Sequence, residues 1–122
     1  MTGQELLKLA AKAAGIEFAP SIGFPHVYID AGAGLLKPWD PLTDDGDALR
    51  LAISLGIKVC PYPIFTQEKH SVIASRRWFA PPEDDENTYV GVDLFERYQN
   101  DKYAATRRAI VRAAAEIGKS MP

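Results

Sequence analysis

The stretch that decides between a helix and a metal-binding loop runs from Trp39 to Ile57 and reads WDPLTDDGDALRLAISLGI. It places four aspartates within eight positions, directly ahead of an apolar run. Counted from Asp40, a hand-shaped calcium loop would need a glycine where Asp45 stands and a bidentate glutamate where Leu51 stands. Acidic residues in the first turn of a helix instead complement the helix dipole. The stretch therefore predicts a helix from Asp44 to Leu55 and no metal site.

The two ends and the buried face of this helix follow from the same stretch. Thr43 or Asp44 can supply the N-cap, and Gly56 can adopt the left-handed conformation that ends a helix. The apolar residues recur at i, i+3, i+4 and i+7. They are Ala48, Leu51, Ala52 and Leu55, with Leu49 and Ile53 broadening the stripe. We therefore expect the face centred on Leu51 to lie in the core.

Two further helices are indicated near the ends of the chain. Thr2 and Glu5 form the capping-box pattern, so the first helix is predicted from Thr2 to Gly15. The second, from Asp101 to Ile117, is dense in alanine, with Asn100 as its cap and Gly118 at its end.

The last helix is expected to have an apolar face and a charged face. The residues that share the apolar face are Tyr103, Ile110, Ala114 and Ile117. Arg108, Arg112 and Glu116 recur at four-residue spacing on the opposite face, which predicts solvent exposure and a weak Arg112–Glu116 pair.

Four β-rich runs lie between these helices, one before the helix at Asp44 to Leu55 and three after it. His26 to Asp30 predicts a short strand, and Ile57 to Cys60 predicts another that is either parallel or at a sheet edge. Ser71 to Phe79 and Tyr89 to Phe95 are expected to form a hairpin with a long acidic tip. Ala31 to Leu42, rich in glycine and proline, predicts an ordered loop pinned by Trp39.

Length and pattern together predict the fold class. The 122 residues suit one compact domain, 1–122, with a single core. Three helices packed on a small, mainly antiparallel sheet of three to five strands make this an α+β fold.

Composition bounds the classes of partner. Lysine and arginine number 14 against 16 acidic residues, a formal charge of −2, so the chain as a whole is not a polycation built for nucleic acid. Cys60, the one cysteine, cannot form an internal disulfide. The N-terminus lacks the layout of a signal peptide, and no apolar run is long enough for a membrane span. We expect a soluble cytoplasmic protein.

The reactive side chains do not form a recognisable active site. His26 and His70 stand 44 positions apart in sequence, and neither neighbours a Cys-x-x-Cys motif or a second histidine at i+3 or i+4. Cys60, between Val59 and Pro61, is typical of an inert core thiol. The carboxylates of Glu83 to Glu86 are typical of a solvated loop tip. The sequence therefore predicts no catalytic residue, no cofactor and no metal ligand set.

The candidate interaction surface is the SRRWF segment, with Arg76, Arg77 and Trp78 on a predicted strand. Adjacent cations and aromatic rings suit both nucleic-acid stacking and protein hot spots. The structural alternative is that alternation sends Trp78 or Phe79 into the core while one arginine pairs with the acidic tip. Because alternation also sends neighbouring arginines to opposite faces, nucleic-acid binding is disfavoured.

Two segments carry a resemblance to a known family. Trp39 to Ile57 and Ala105 to Gly118 resemble small proteins of unknown function from tailed phages and prophages of proteobacteria, and are more distantly similar to the NinX-like phage proteins. Residues Cys60 to Phe95 have no counterpart in the resemblance. It implies a phage or prophage accessory protein in the bacterial cytoplasm, and it brings no catalytic residue with it.

Three hypotheses of function follow, in order of preference. The first is a non-enzymatic accessory protein that binds a host or phage protein. The second is a nucleic-acid binder that uses Arg76, Arg77 and Trp78, and the third is an enzyme of unrecognised type. An exposed aromatic patch would favour the first, a continuous basic stripe the second, and a deep pocket converging on His26, His70 or Cys60 the third. The sequence does not indicate an oligomeric state.

Overall fold

A computed structural model of the protein describes residues 2–19, 28–30, 36–61, 71–79, 89–97 and 101–121. These residues form three helices, α1 (Gly3–Ala14), α2 (Asp45–Leu55) and α3 (Lys102–Lys119). They also form six strands, β1 (Phe18–Ala19), β2 (Tyr28–Asp30), β3 (Leu36–Pro38), β4 (Lys58–Pro61), β5 (Ser71–Phe79) and β6 (Tyr89–Arg97). The predicted α+β class is confirmed.

The caps of α1 and α2 are those that the sequence predicts. Thr2 Oγ1 accepts a hydrogen bond from the Glu5 amide at 3.2 Å, and the Glu5 carboxylate accepts one from the Thr2 amide at 2.9 Å. Gly15 and Gly56 both have left-handed backbones, with φ of 70° and 66°. A side chain at either position would strain the helix end.

The four aspartates of the opening stretch all accept hydrogen bonds from the protein itself. Asp44, and not Thr43, is the N-cap of α2 and accepts from the Asp47 amide at 2.8 Å. The buried Asp47 carboxylate accepts from the Asp40 amide at 3.0 Å and from Arg50 at 2.8 Å. Asp40 accepts from the Leu42 amide at 3.0 Å. These carboxylates tie the preceding loop to the first turn of α2.

Strands β4, β5 and β6 form an antiparallel sheet in that order. β4 is an edge strand and not a parallel one, with Val59 opposite Ala74. The predicted hairpin pairs over its whole length, from Ser71 opposite Arg97 to Phe79 opposite Tyr89. Residues Glu83 to Glu86 of its tip lie outside the described residues.

A second antiparallel sheet has the order β1-β2-β3. Its β2 confirms part of the strand predicted from His26 to Asp30, although His26 itself lies outside the described residues. The prediction of an irregular loop up to Leu42 is wrong at Leu36–Pro38, which pairs with β2 as β3. At Leu36–Pro38, hydrogen-bonded pairing with β2 therefore stabilises a strand, although the glycines and prolines around it favour a loop. Trp39 follows β3 directly and is buried, as expected.

Helix α3 is the centre of the fold, because it packs against α1, α2, β5 and β6. Its side chains are buried on several faces, and most of those buried are small: Ala105, Ala109, Ala113, Ala114 and Ala115. Small side chains allow neighbouring backbones to approach closely. At Gly118 an added Cβ would lie 2.0 Å from the Leu9 carbonyl oxygen of α1.

Two predicted boundaries of α3 are wrong. The N-cap is Asp101, whose carboxylate accepts from the Ala104 amide at 2.9 Å; Asn100 lies outside the described residues. The helix does not end at Gly118 but continues to Lys119, with Ser120 as its C-cap. Gly118 serves the contact with α1 instead of a helix end.

The charged face of α3 also differs from its prediction. Arg108 and Arg112 both bind the Glu96 carboxylate of β6. The Glu116 carboxylate instead lies 3.6 Å from the Lys119 Nζ. The predicted Arg112–Glu116 pair is therefore wrong. A carboxylate on the adjacent strand, which helical spacing cannot show, takes its place.

Candidate protein-binding groove

A groove of about 590 Å³ opens where α2, α3 and the edge strand β4 meet. Ala48 and Ile110 are buried at its base, and the half-buried Val59 and the exposed Pro61 contribute the β4 side. These side chains are apolar. The groove is therefore an apolar surface that the described part of the fold leaves uncovered.

Large apolar side chains flank the groove and are exposed. Leu49 of α2 is 60% exposed, and Tyr103 of α3 is 62% exposed. Ile53 lies one turn after Leu49 on α2 and is 71% exposed. Together Leu49, Ile53 and Tyr103 form what we call the apolar rim, in which Leu49 and Tyr103 line the groove and Ile53 extends the exposed apolar surface along α2. Burying such side chains is favourable, so this rim marks a surface suited to a partner.

The exposure of the rim corrects two predictions. Leu49 and Ile53 do not broaden the buried stripe, because each lies about 160° around the helix from Leu51 at its centre. Tyr103 shares the angular position of Ile110 two turns later, as predicted, but it is not buried. It lies in the first turn of α3, whereas Ile110 lies deeper between the neighbouring elements.

Arg107 fixes the polar end of the groove. Its guanidinium donates to the Leu42 carbonyl oxygen at 2.9 Å and to the Asp45 carboxylate at 2.5 Å. The Arg107 side chain is only 16% exposed. These contacts hold the beginning of α2 against α3, so the two helical walls keep a defined separation.

Lys102 is the other cation of the groove. It is the first residue of α3 and is exposed, with its Nζ 5.6 Å from the centre of the Tyr103 ring. Among the described residues, no carboxylate pairs with Lys102. Among the described residues the lining thus contains two cations, Lys102 and Arg107, and one carboxylate, Asp45, for a formal charge of +1.

The residues predicted as an interaction surface lie on β5. Arg76 is opposite Val92, Arg77 opposite Gly91 and Trp78 opposite Val90. Arg76 is half-buried, has an interaction partner and does not line the groove. The side chains of Arg77 and Trp78 lie outside the described part of the chain.

The arginines of α3 do not form a free basic patch. Arg107 is paired with Asp45, and both Arg108 and Arg112 are paired with Glu96. Each of these guanidinium groups already has a carboxylate partner, which reduces the positive potential available to a phosphate backbone.

The reactive residues singled out by the sequence are only partly described. His26 and His70 lie outside the described residues, and Cys60 is a half-buried free thiol in β4. In the described ranges, no group of three or more histidine, cysteine, aspartate and glutamate side chains is arranged to hold a metal ion. No helix in those ranges combines the length and apolar character that crossing a bilayer requires.

Comparisons of the chain with protein-family models, with curated proteins and with solved structures find no match.

Sequence reasoning missed the groove, although one signal for it was present. Leu49 and Ile53 are apolar residues outside the i, i+3, i+4, i+7 set of α2. An apolar residue more than about 90° from the centre of a buried stripe is a candidate for contact with something other than the core.

Proposed function

We propose that the protein is a non-enzymatic binding module that takes up an apolar segment of another protein in the groove between α2, α3 and β4. The observation that carries the proposal is the apolar rim, because Leu49 and Tyr103 line an apolar cleft and both, like Ile53 one turn after Leu49, are largely exposed. Grooves of this kind accept the apolar face of a helix or alternate side chains of an extended peptide.

The energetics support the rim as the source of affinity. Burying a leucine, isoleucine or aromatic side chain contributes about 1.5–3 kcal/mol each. Two such residues line the cleft, Leu49 and Tyr103, and a few well-placed apolar side chains dominate binding at many interfaces. The Arg107–Asp45 contact supports the proposal further, since walls that are already fixed lose little conformational freedom on binding.

The biological context that we propose is that of a phage or prophage accessory protein in the bacterial cytoplasm, with a host or phage protein as partner. The resemblance at Trp39 to Ile57 and Ala105 to Gly118 supports this context, and the groove supports the binding role. The two parts of the proposal stand on different observations and can fail separately.

Site-specific photo-crosslinking in phage-infected bacteria tests the binding role. A photoreactive residue at position 49 or 103 should capture the same protein, whereas one at the exposed Lys8 of α1 should not. The captured partner is then purified and its affinity measured. Leu49→Asp and Tyr103→Asp should each weaken binding at least about 10-fold.

The matched control is Met121→Asp, which places the same charge on an exposed apolar residue beyond the far end of α3. It should leave the affinity unchanged. Equal loss in all three variants, or capture from position 8 alone, would contradict the groove as the binding site.

A further inference from the structure

The groove has a charged end as well as an apolar rim. Its lining carries a formal charge of +1, and Lys102 is the lining cation that has no carboxylate partner in the described ranges. Asp45 does not neutralise it, because the Asp45 carboxylate already binds Arg107 at 2.5 Å. The remaining positive charge of the described lining is therefore that of Lys102, because the neighbouring Asp101 does not line the groove and its carboxylate caps α3 by accepting from the Ala104 amide.

The position of Lys102 is unfavourable for the helix that contains it. A cation in the first turn opposes the helix dipole, whereas an anion there would complement it. α1 and α2 follow that rule with Glu5 and with Asp45 and Asp47, but the first turn of α3 has no acidic residue. Lys102 thus adds its charge to the positive end of the helix dipole instead of offsetting it.

Lys102 also lies next to the apolar rim. Its Nζ is 5.6 Å from the Tyr103 ring centre, and Tyr103 is itself one wall of the groove. A segment bound against Tyr103 would have its neighbouring residue within reach of the Lys102 ammonium. Charge complementarity then requires that residue to be acidic.

From this arrangement, and resting on the proposed function, we infer that the groove selects an acidic amphipathic segment of a partner protein. Its apolar side chains lie between Leu49 and Tyr103, and an aspartate or glutamate beside them pairs with Lys102. The pair sets the direction in which the segment lies in the groove, and it disfavours basic segments through like-charge repulsion.

A displayed library of random 16-residue peptides provides the probe. It is selected in parallel on the wild-type protein and on the double variant Leu49→Asp with Tyr103→Asp, and peptides specific to the wild type are synthesised. We expect these peptides to carry apolar residues adjacent to aspartate or glutamate. Their affinity should fall as salt is added, because the pair is at a solvent-exposed rim.

Charge variants of the full chain then test the role of Lys102. Lys102→Gln should weaken binding of the selected peptides about 1.5- to 5-fold, and Lys102→Glu at least about 10-fold. Lys8→Glu is the control for net charge and should have no effect. Lys102→Glu should at the same time raise the Tm, because it removes the unfavourable dipole interaction, so weaker binding cannot be attributed to unfolding.

Two outcomes would overturn the inference and are distinguishable. If groove-dependent peptides are enriched but lack acidic residues or bind Lys102→Glu as well as wild type, the selectivity is wrong and the binding role stands. If no enriched peptide depends on Leu49 and Tyr103, both the selectivity and the proposed function fail.

Discussion

At the scale of single residues, α2 shows how burial differs between neighbouring apolar side chains. Leu51 is 2% exposed, whereas Ile53, two positions later, is 71% exposed. Both are large aliphatic residues on the same helix, so composition does not distinguish them. Only the direction in which each points from the helix axis does.

Truncation of these two residues should have very different costs. Leu51→Ala, and likewise Ile110→Ala in α3, should lower the free energy of unfolding by about 2–5 kcal/mol, because each leaves a cavity in the core. Ile53→Ala should change it by less than about 0.5 kcal/mol. Urea denaturation of the three variants measures the difference, and a similar loss for Ile53→Ala would show that the α2 surface is covered.

Gly118 allows the close contact between α1 and α3. Gly118→Ala places a Cβ against the Leu9 carbonyl oxygen, which is backbone and cannot rotate away. We expect a loss of about 1–3 kcal/mol in the free energy of unfolding despite the higher helix propensity of alanine. Gly3→Ala is the control, since its Cβ would meet only Leu42 Cδ1 at 3.6 Å. A stabilised Gly118→Ala variant would mean that the helices can separate without cost.

At the scale of elements, the ends of the helices are determined by side chains within a few residues of them. The aspartates just before α2 and in its first turn accept hydrogen bonds from the loop, from the first turn itself, and from Arg50 and Arg107. The high density of aspartates in this stretch is explained by two roles: they attach the loop to α2, and they complement the helix dipole.

Asp44→Ala should therefore lower the free energy of unfolding by about 0.5–2 kcal/mol, the usual effect of losing an N-cap. Thr43→Ala, at the alternative cap position, should be neutral.

Millimolar calcium or magnesium should leave the Tm of the wild-type protein unchanged, because every aspartate carboxylate of this stretch already accepts a hydrogen bond from the protein. Differential scanning calorimetry checks both expectations, and a clear rise in Tm with either ion would indicate a bound metal.

At the scale of the whole molecule, the distribution of charge matters more than its sum. The formal charge is only −2, and the arginines of α3 are each paired with Asp45 or Glu96. Neither the net charge nor these paired groups creates a continuous basic stripe along α3.

We accordingly predict no appreciable binding of single- or double-stranded DNA or RNA near physiological salt. Fluorescence anisotropy with labelled oligonucleotides provides the measurement. Micromolar binding that weakens with added salt and is abolished by Arg76→Ala with Arg77→Ala would reverse the order of the first two hypotheses of function.

Much of the architecture could be predicted from local pattern. The capping box at Thr2, the acidic start of α2, the glycine ends at Gly15 and Gly56 and the β5–β6 hairpin all depend on residues close in sequence. Hydrogen bonds and dipole interactions of that range are the same in any fold, so a short window of sequence suffices to predict them.

The candidate site depended on tertiary structure. Leu49 and Tyr103 belong to different helices. The residues next to each in sequence do not indicate that both side chains are exposed at a common groove. The pairing of Arg112 with Glu96 in place of Glu116 likewise required the relative positions of two different elements. Burial and ion pairing depend on which elements the fold brings together, and that arrangement results from packing α1, α2 and the β4–β5–β6 sheet against α3.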